Sequence, residues 1–189
     1  MTRHSREDVV QAAGRLFAER GYHGTSMRDL GRELGMLGSS LYSHVEGKQQ
    51  LLVEVVDRGA GFFQAAADEA LAAAGDASDR LHALIAGHVD VVLDHREEVR
   101  TYLSEASALD REARSLVIES RDRYEEAFRG VLKEGAADGS FRADIDPRLG
   151  AIFTPSILNA VDRWYRDDGP IDRQTLVARI DAFVTNGLG

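Results

Sequence analysis

The sequence predicts an all-helical protein, and three observations carry that prediction. Apolar residues recur at three-to-four spacing along almost the whole chain, no stretch sustains the alternation of a strand, and the only prolines are Pro147, Pro155 and Pro170. About nine helices are expected over the 189 residues.

The first helix opens at Ser5, a capping residue followed by Glu7 and Asp8, whose charges suit the positive end of the helix dipole. Val9, Ala13, Leu16 and Phe17 form its apolar face, and Gly21 ends it. Thr25 or Ser26 can cap a second, short helix that buries Met27, Leu30 and Leu34 before Gly35 stops it. A third short helix is expected over 38–45, and a fourth from just after Gly47 to about residue 74, with Gly59 and Gly61 as points where it can bend. Long helices follow at 79–94 and 110–137, with a shorter piece at 97–104 between them, and the turn signal Asp138-Gly139 ends the last. Asp146-Pro147 is a strong start, a capping acid with proline at the first helical position, and that helix is expected to reach residue 166. Asp167-Asp168-Gly169-Pro170 stops it, and Asp172 caps a final helix to about residue 184.

The bulk numbers bound the function. A net charge of −9 argues at first sight against nucleic acid, but it is unevenly spread: residues 1–50 hold seven Lys/Arg against six Asp/Glu, and residues 51–189 hold 16 against 26. Phosphate contacts are local, so an acidic bulk with a near-neutral head is compatible with DNA binding. No cysteine is present, which excludes disulfides and thiolate metal sites and suits a reducing cytoplasm. No signal-peptide pattern opens the chain, and the longest apolar-rich run is too short to span a bilayer. No nucleophile elbow, Gly-rich phosphate loop, HExxH or paired-carboxylate pattern marks an enzyme.

Residues 25–45 read as helix, turn and helix. On a wheel of about 100° per residue, Leu41 and Val45 fall together and point inward. Ser39, Ser40 and Ser43 then project outward, flanked by Tyr42 and His44. Small hydroxyl side chains can approach base edges closely, and the flanking rings can reach phosphates. Lys48 opens the next helix, where ammonium, dipole and amides can grip a phosphate. Thr25 and Ser26 are candidates for the same role at the second helix, and Arg28 is the long cationic fork nearest the reading helix.

Here the chain resembles the TetR family. Leu16-Phe17 through Gly21-Tyr22, Thr25-Ser26-Met27-Arg28-Asp29-Leu30, Ser40-Leu41-Tyr42-Ser43-His44-Val45 and Lys48 follow that family's N-terminal pattern. Two positions depart from it: Gly38 stands where lysine is common and Val45 where phenylalanine is usual. The resemblance implies a homodimer that binds double-stranded operator DNA. It places a helix-turn-helix domain at residues 1–47 and a ligand-binding and dimerisation domain at 48–189. It also implies a repressor that a small effector releases by tilting the fourth helix.

Within the larger domain, Leu149, Phe153, Ile157, Val161 and Trp164 make one apolar stripe, and Leu176, Ile180 and Phe183 another. Ile157, Val161, Trp164, Leu176, Ile180 and Phe183 are the candidate dimer residues, with packing inside one subunit as the competing reading. Polar groups set among apolar ones are the effector candidates: His88, Tyr102, Ser120, Tyr124, Asn159 and Arg163. His82, His88 and His95 lie six and seven apart, which does not fit a chelating pair, so no metal and no cofactor is expected. Residues 139–147, Asn159, Arg163-Trp164-Tyr165-Arg166 and Gly169-Pro170 resemble the TetR branch that answers to acyl-CoA thioesters in fatty-acid or sterol catabolism. A drug-like or aromatic effector is the alternative.

Overall fold

The computed structural model describes residues 5–188, which form nine α-helices and two short 3₁₀ segments. The helices are α1 (Arg6–Arg20), α2 (Met27–Glu33), α3 (Lys48–Ala72), α4 (Ala77–Asp94), α5 (Arg96–Ser104), α6 (Arg111–Asp138), α7 (Pro147–Asn159), α8 (Val161–Trp164) and α9 (Arg173–Leu188). The 3₁₀ segments are Gly38–Ser43 and Ala106–Ala108. Among the described residues no helix is long and apolar enough to cross a membrane. The chain divides into two compact units.

The first unit contains the residues through Gly61 together with His95–Glu119. Its α1 starts where expected. The Ser5 hydroxyl accepts from Asp8 N–H at 3.2 Å while the Asp8 carboxylate accepts from Ser5 N–H at 2.6 Å, a reciprocal cap worth about 1 kcal/mol. Gly21 ends α1 at φ +74°, a conformation that suits glycine. Val9, Ala13, Leu16 and Phe17 are buried as the helical spacing requires, and α1 packs on α2 and α5. The unit reaches beyond residue 47 because α5 and the start of α3 complete this core: Leu51, Leu52, Val55 and Val99 are all buried. α3 passes α5 closely at Gly59, where a Cβ would lie 2.8 Å from Tyr102 Cβ and 2.9 Å from Glu98 O, so this glycine is a close-packing site. α3 is unbroken through Gly59 and Gly61.

The second unit contains Phe62–Asp94 and the chain from Ser120 onward. α4 is its centre and packs on α7, α8 and α9, with Leu81, Leu84, Ile85, Val89 and Val92 buried. Arg80 on α4 pairs with Glu134 on α6, and Arg173 at the start of α9 bridges Asp90 and Asp94 on α4 at 3.2 and 2.7 Å. The Asp146 carboxylate accepts from the amides of Arg148 and Leu149 at 2.9 and 3.2 Å, with Pro147 at the first helical position as expected.

One expectation needs correction. The helix that begins at Pro147 does not run to residue 166; it stops at Asn159 and resumes as α8. The break lies at Ala160, five residues beyond Pro155. There the bonding tightens, Ala160 N–H donating to Ile157 O and Arg163 N–H to Ala160 O, each three residues back.

Candidate functional site

The helix-turn-helix is assembled by local bonds and two glycines. Ser26, and not Thr25, caps α2: its hydroxyl accepts from Asp29 N–H at 3.2 Å, and the Asp29 carboxylate accepts from Ser26 N–H at 3.0 Å and from the Ser26 hydroxyl. Those bonds from Ser26 hold the Asp29 carboxyl below the usual carboxylate range. Gly31 is where the turn crosses α2; a Cβ there would sit 2.9 Å from Gly38 N and from Met36 O. Gly38 lies against α2 in turn, its Cβ position 3.4 Å from Met27 O. That is ordinary van der Waals contact, so the position has room for the Cβ of the lysine common in the family.

The reading helix is shorter and tighter than expected. It is a 3₁₀ helix over Gly38–Ser43 and not an α-helix to residue 45. Ser40 N–H donates to Leu37 O at 2.8 Å, and His44 N–H to Leu41 O at 2.9 Å. The cause is local: Leu37 offers no side-chain cap, and Gly38, Ser39 and Ser40 are weak helix formers. The facing nevertheless follows the wheel. Leu41 and Val45 are buried, Ser39, Ser40, Tyr42 and Ser43 are exposed, and His44 is half-buried. Ser43 donates its hydroxyl hydrogen to Ser40 O at 2.7 Å. Ser26 and Arg28 are exposed at the start of α2.

Thr25 does not face outward, contrary to expectation. It is buried, and its hydroxyl lies 3.1 Å from Leu16 O and 3.0 Å from Gly21 O, to which it donates. Its role is to tie the turn after α1. Lys48 serves the same turn: its ammonium donates to Tyr22 O and Thr25 O, both at 2.8 Å, and sits 4.0 Å from the Tyr22 ring centroid. Tyr22 is fixed further by its hydroxyl, which donates to Gln49 Oε1 at 2.7 Å, and by Glu105, which accepts its N–H at 3.2 Å. Burial raises the Tyr22 phenol above its ordinary range. Gln49 and Glu105 were not legible in the sequence, since they lie 27 and 83 positions from Tyr22.

A second polar cluster sits inside the other unit. His88 on α4 is buried; its Nδ1 lies 2.9 Å from the Tyr124 hydroxyl on α6, and its Nε2 3.1 Å from Asn159 Oδ1 at the end of α7. Burial pushes the imidazole down to about 3, against the opposing hydrogen bond to Asn159, so it is neutral. A neutral ring has one donor and one acceptor. With Asn159 presenting its oxygen, Nε2 carries the hydrogen and the Tyr124 hydroxyl donates to Nδ1. Phe63 closes the cluster, its ring centroid 4.8 Å from His88 and 5.4 Å from Tyr124.

Three of the six effector candidates, His88, Tyr124 and Asn159, therefore meet. Ser120 is half-buried on α6, and Arg163 is exposed on α8. Tyr102 does not join them: it is a buried residue of the first unit, at the close approach of Gly59. Phe63 was missed because an aromatic residue at helical spacing reads as ordinary core.

The expected dimer stripes are split. Ile157, Trp164 and Phe183 are exposed, the last two by 55% and 67%. Ile157 and Trp164 line a groove of about 500 Å³ with Phe153, Ser156, Ala160 and Ile180. Val161 and Leu176 are corrections: at 0% and 3% exposure both are spent on the core of their own subunit, as α4 packs on α8 and α9. Ile180 is buried yet lines the groove.

Comparison with known proteins places this geometry. The family described as "Bacterial regulatory proteins, tetR family" matches residues 9–55, and the one described as "Tetracyclin repressor-like, C-terminal domain" matches residues 74–188. The HTH-type transcriptional repressor KstR2 of Rhodococcus jostii is 30% identical over 184 residues, which cover 97% of this chain and 90% of that protein. The solved structure of the ketosteroid transcriptional regulator KstR2 of Mycobacterium tuberculosis is similar with a TM-score of 0.91 at 26% identity, covering 100% of this chain and 96% of that one. AibR in complex with isovaleryl coenzyme A and operator DNA is similar in fold, with a TM-score of 0.87 at 23% identity over 95% of this chain and 97% of that one.

Proposed function

The chain belongs to the TetR family of bacterial regulators, and on that premise we propose that it is a cytoplasmic, homodimeric repressor released from operator DNA by a lipophilic effector, an acyl-CoA thioester of sterol or fatty-acid catabolism. The observation that carries the reading is the reading helix: Ser39, Ser40, Tyr42 and Ser43 stand in solvent above a buried Leu41 and Val45. That is the arrangement a groove-reading helix requires. Ser26, Arg28, Gly38 and His44 border the same surface, and Lys48 holds the turn behind it and can present its remaining donor to a phosphate.

The effector site is centred on His88, Tyr124 and Asn159. With both nitrogens of the neutral imidazole committed to Tyr124 and Asn159, a ligand carbonyl or hydroxyl would take the Asn159 amide hydrogens or replace one of the two partners, with no charge placed among apolar walls. Arg163, exposed on α8, suits a phosphorylated head outside those walls. The catabolic assignment is supported by the 30% identity to a protein named as the repressor KstR2, and by the ability of the same fold in AibR to hold isovaleryl coenzyme A together with operator DNA. Ile157, Trp164, Phe183 and the groove beside them are the surface offered to the second subunit.

Release is a population shift: the effector binds one of two subunit arrangements more tightly, and the reading helices of the dimer leave the register of successive major grooves. α3 begins in the first unit and ends in the second, and α6 does likewise, so the two units share both helices. The test is titration of full-length protein onto the palindrome it selects from random duplexes, with and without a series of acyl-CoAs. A matching acyl-CoA is expected to weaken binding by about 5–150-fold. Release by an aromatic drug but by no acyl-CoA would replace the effector class, and absence of sequence-selective binding would overturn the regulator reading.

A further inference from the structure

Among the described residues, Leu37 is the most exposed large apolar side chain, at 75%. It lies in the turn between α2 and the reading helix, in extended backbone at φ −69° and ψ 138°. Its carbonyl is committed to Ser40 N–H, and its side chain caps nothing. A single exposed leucine on a protein surface needs no explanation. This one stands beside the exposed hydroxyls of Ser39 and Ser40, on the surface that the functional reading turns towards the operator.

What surrounds it narrows its use. Gly38 has no side chain, and Ser39, Ser40 and Ser43 are short, so the leading end of the reading surface consists of small polar groups and one four-carbon apolar group. Leucine neither donates nor accepts a hydrogen bond. In the major groove, base edges present donors, acceptors and one apolar feature, the C5-methyl of thymine. Packed on bare donors or acceptors, Leu37 would strip them of water and return nothing; packed on a methyl, it buries apolar area on both sides.

We propose that Leu37 is a specificity-determining residue that reads one thymine in each operator half-site through the C5-methyl group. This rests on the DNA-binding reading above. The experiment uses full-length protein and the palindrome it enriches from random duplexes. Each thymine of the half-site is replaced in turn by deoxyuridine, which removes the methyl and keeps every hydrogen-bonding group. At one position the wild type is expected to lose about four-fold in affinity per half-site, and about fifteen-fold when both half-sites are changed, the worth of one buried methyl each.

Leu37→Ala is expected to bind the thymine operator more weakly by a similar factor and to ignore deoxyuridine at that position. Its melting temperature should match the wild type, since the residue buries almost nothing in the free protein. Two results would overturn the inference alone: a wild type indifferent to deoxyuridine at every thymine, or a Leu37→Ala variant that keeps the full methyl response. Failure to enrich any sequence would overturn the DNA-binding reading and this inference with it.

Discussion

The reading helix and the His88 cluster are built from similar materials, hydroxyls, an imidazole and an aromatic ring, and differ in whether water reaches them. Around Ser39, Ser40 and Ser43 the side chains are exposed, and the side-chain bond from Ser43 to Ser40 O runs only three residues. Around His88 the ring is buried and its two partners are half-buried, and the bonds span 36 and 71 residues to Tyr124 and Asn159. An exposed hydroxyl can exchange water for a base edge at little cost to the fold. A buried ring must have its partners, and removing one leaves the ring with an unmet donor or acceptor. The first region can change partner freely; the second is tied to the packing of three helices.

The largest break in that comparison is His88→Ala. It opens a cavity in the α4 core and takes one hydrogen-bond partner each from Tyr124 and Asn159, so a loss of about 3–5 kcal/mol is expected. At about 2–4 °C per kcal/mol for a chain of this size, the melting temperature falls by roughly 10 °C. A drop of a degree or two would mean that the cluster is not held as a unit.

Acid should produce the next largest effect. The His88 imidazole titrates near 3 in the folded chain and near 6.5 when unfolded, so between those values the unfolded state binds the extra proton. Stability is therefore full above about pH 6.5 and falls as the pH is lowered towards 3. Between pH 7 and 5, about 2 kcal/mol should be lost in urea titrations. That window lies above the pH range where Asp29, Asp138 and Asp172, all held below their ordinary values, take up protons. His88→Gln should remove most of the slope between pH 7 and 5; an unchanged slope would assign it elsewhere.

The same contrast explains what could be read from the sequence. Caps, turns and amphipathic faces are local, so Ser5, Gly21, Gly35 and Asp146-Pro147 announced their helices, and Leu41 and Val45 their inward direction. The motif that marks the family is also local, its residues running from Leu16 to Lys48. The sequence could put His88, Tyr124 and Asn159 on a candidate roll but could not bring them together without Tyr102 among them, because their meeting depends on how α4, α6 and α7 pack. Thr25 misled for a related reason: a threonine beside a helix start looks like a cap, and only the nearness of Leu16 O shows that its hydroxyl turns inward. Val161 and Leu176 share a face with exposed neighbours, and spacing alone does not say which of two partners a face will meet. The 3₁₀ geometry of the reading helix escaped a wheel drawn at the α-helical angle.

Lys48 sharpens the comparison from the exposed side. Lys48→Met removes the donors to Tyr22 O and Thr25 O and should cost about 1–2 kcal/mol in chemical denaturation. Operator affinity should fall for all sequences alike. If Lys48 only ties the turn, the dependence of affinity on salt is unchanged; if it also meets a phosphate, the slope of log K against log salt drops by about 1.

Ser43 should show the smallest effect on the fold and the most selective one on DNA. Its only hydroxyl hydrogen is given to Ser40 O, so outward it can only accept. In the major groove the base-edge donors are N6 of adenine and N4 of cytosine. Ser43→Ala should leave the melting temperature within about 1 °C, because an exposed side chain with one short-range bond contributes little. Selectivity at one operator position per half-site should fall by about five-fold or more, the low end of what a base contact provides. Equal weakening on every sequence would mean that the hydroxyl supports the helix and does not read. A stability loss as large as that of Lys48→Met would mean that the bond to Ser40 holds the 3₁₀ turn together, and the division between a surface free to change partners and a core that is not would then fail at its exposed end.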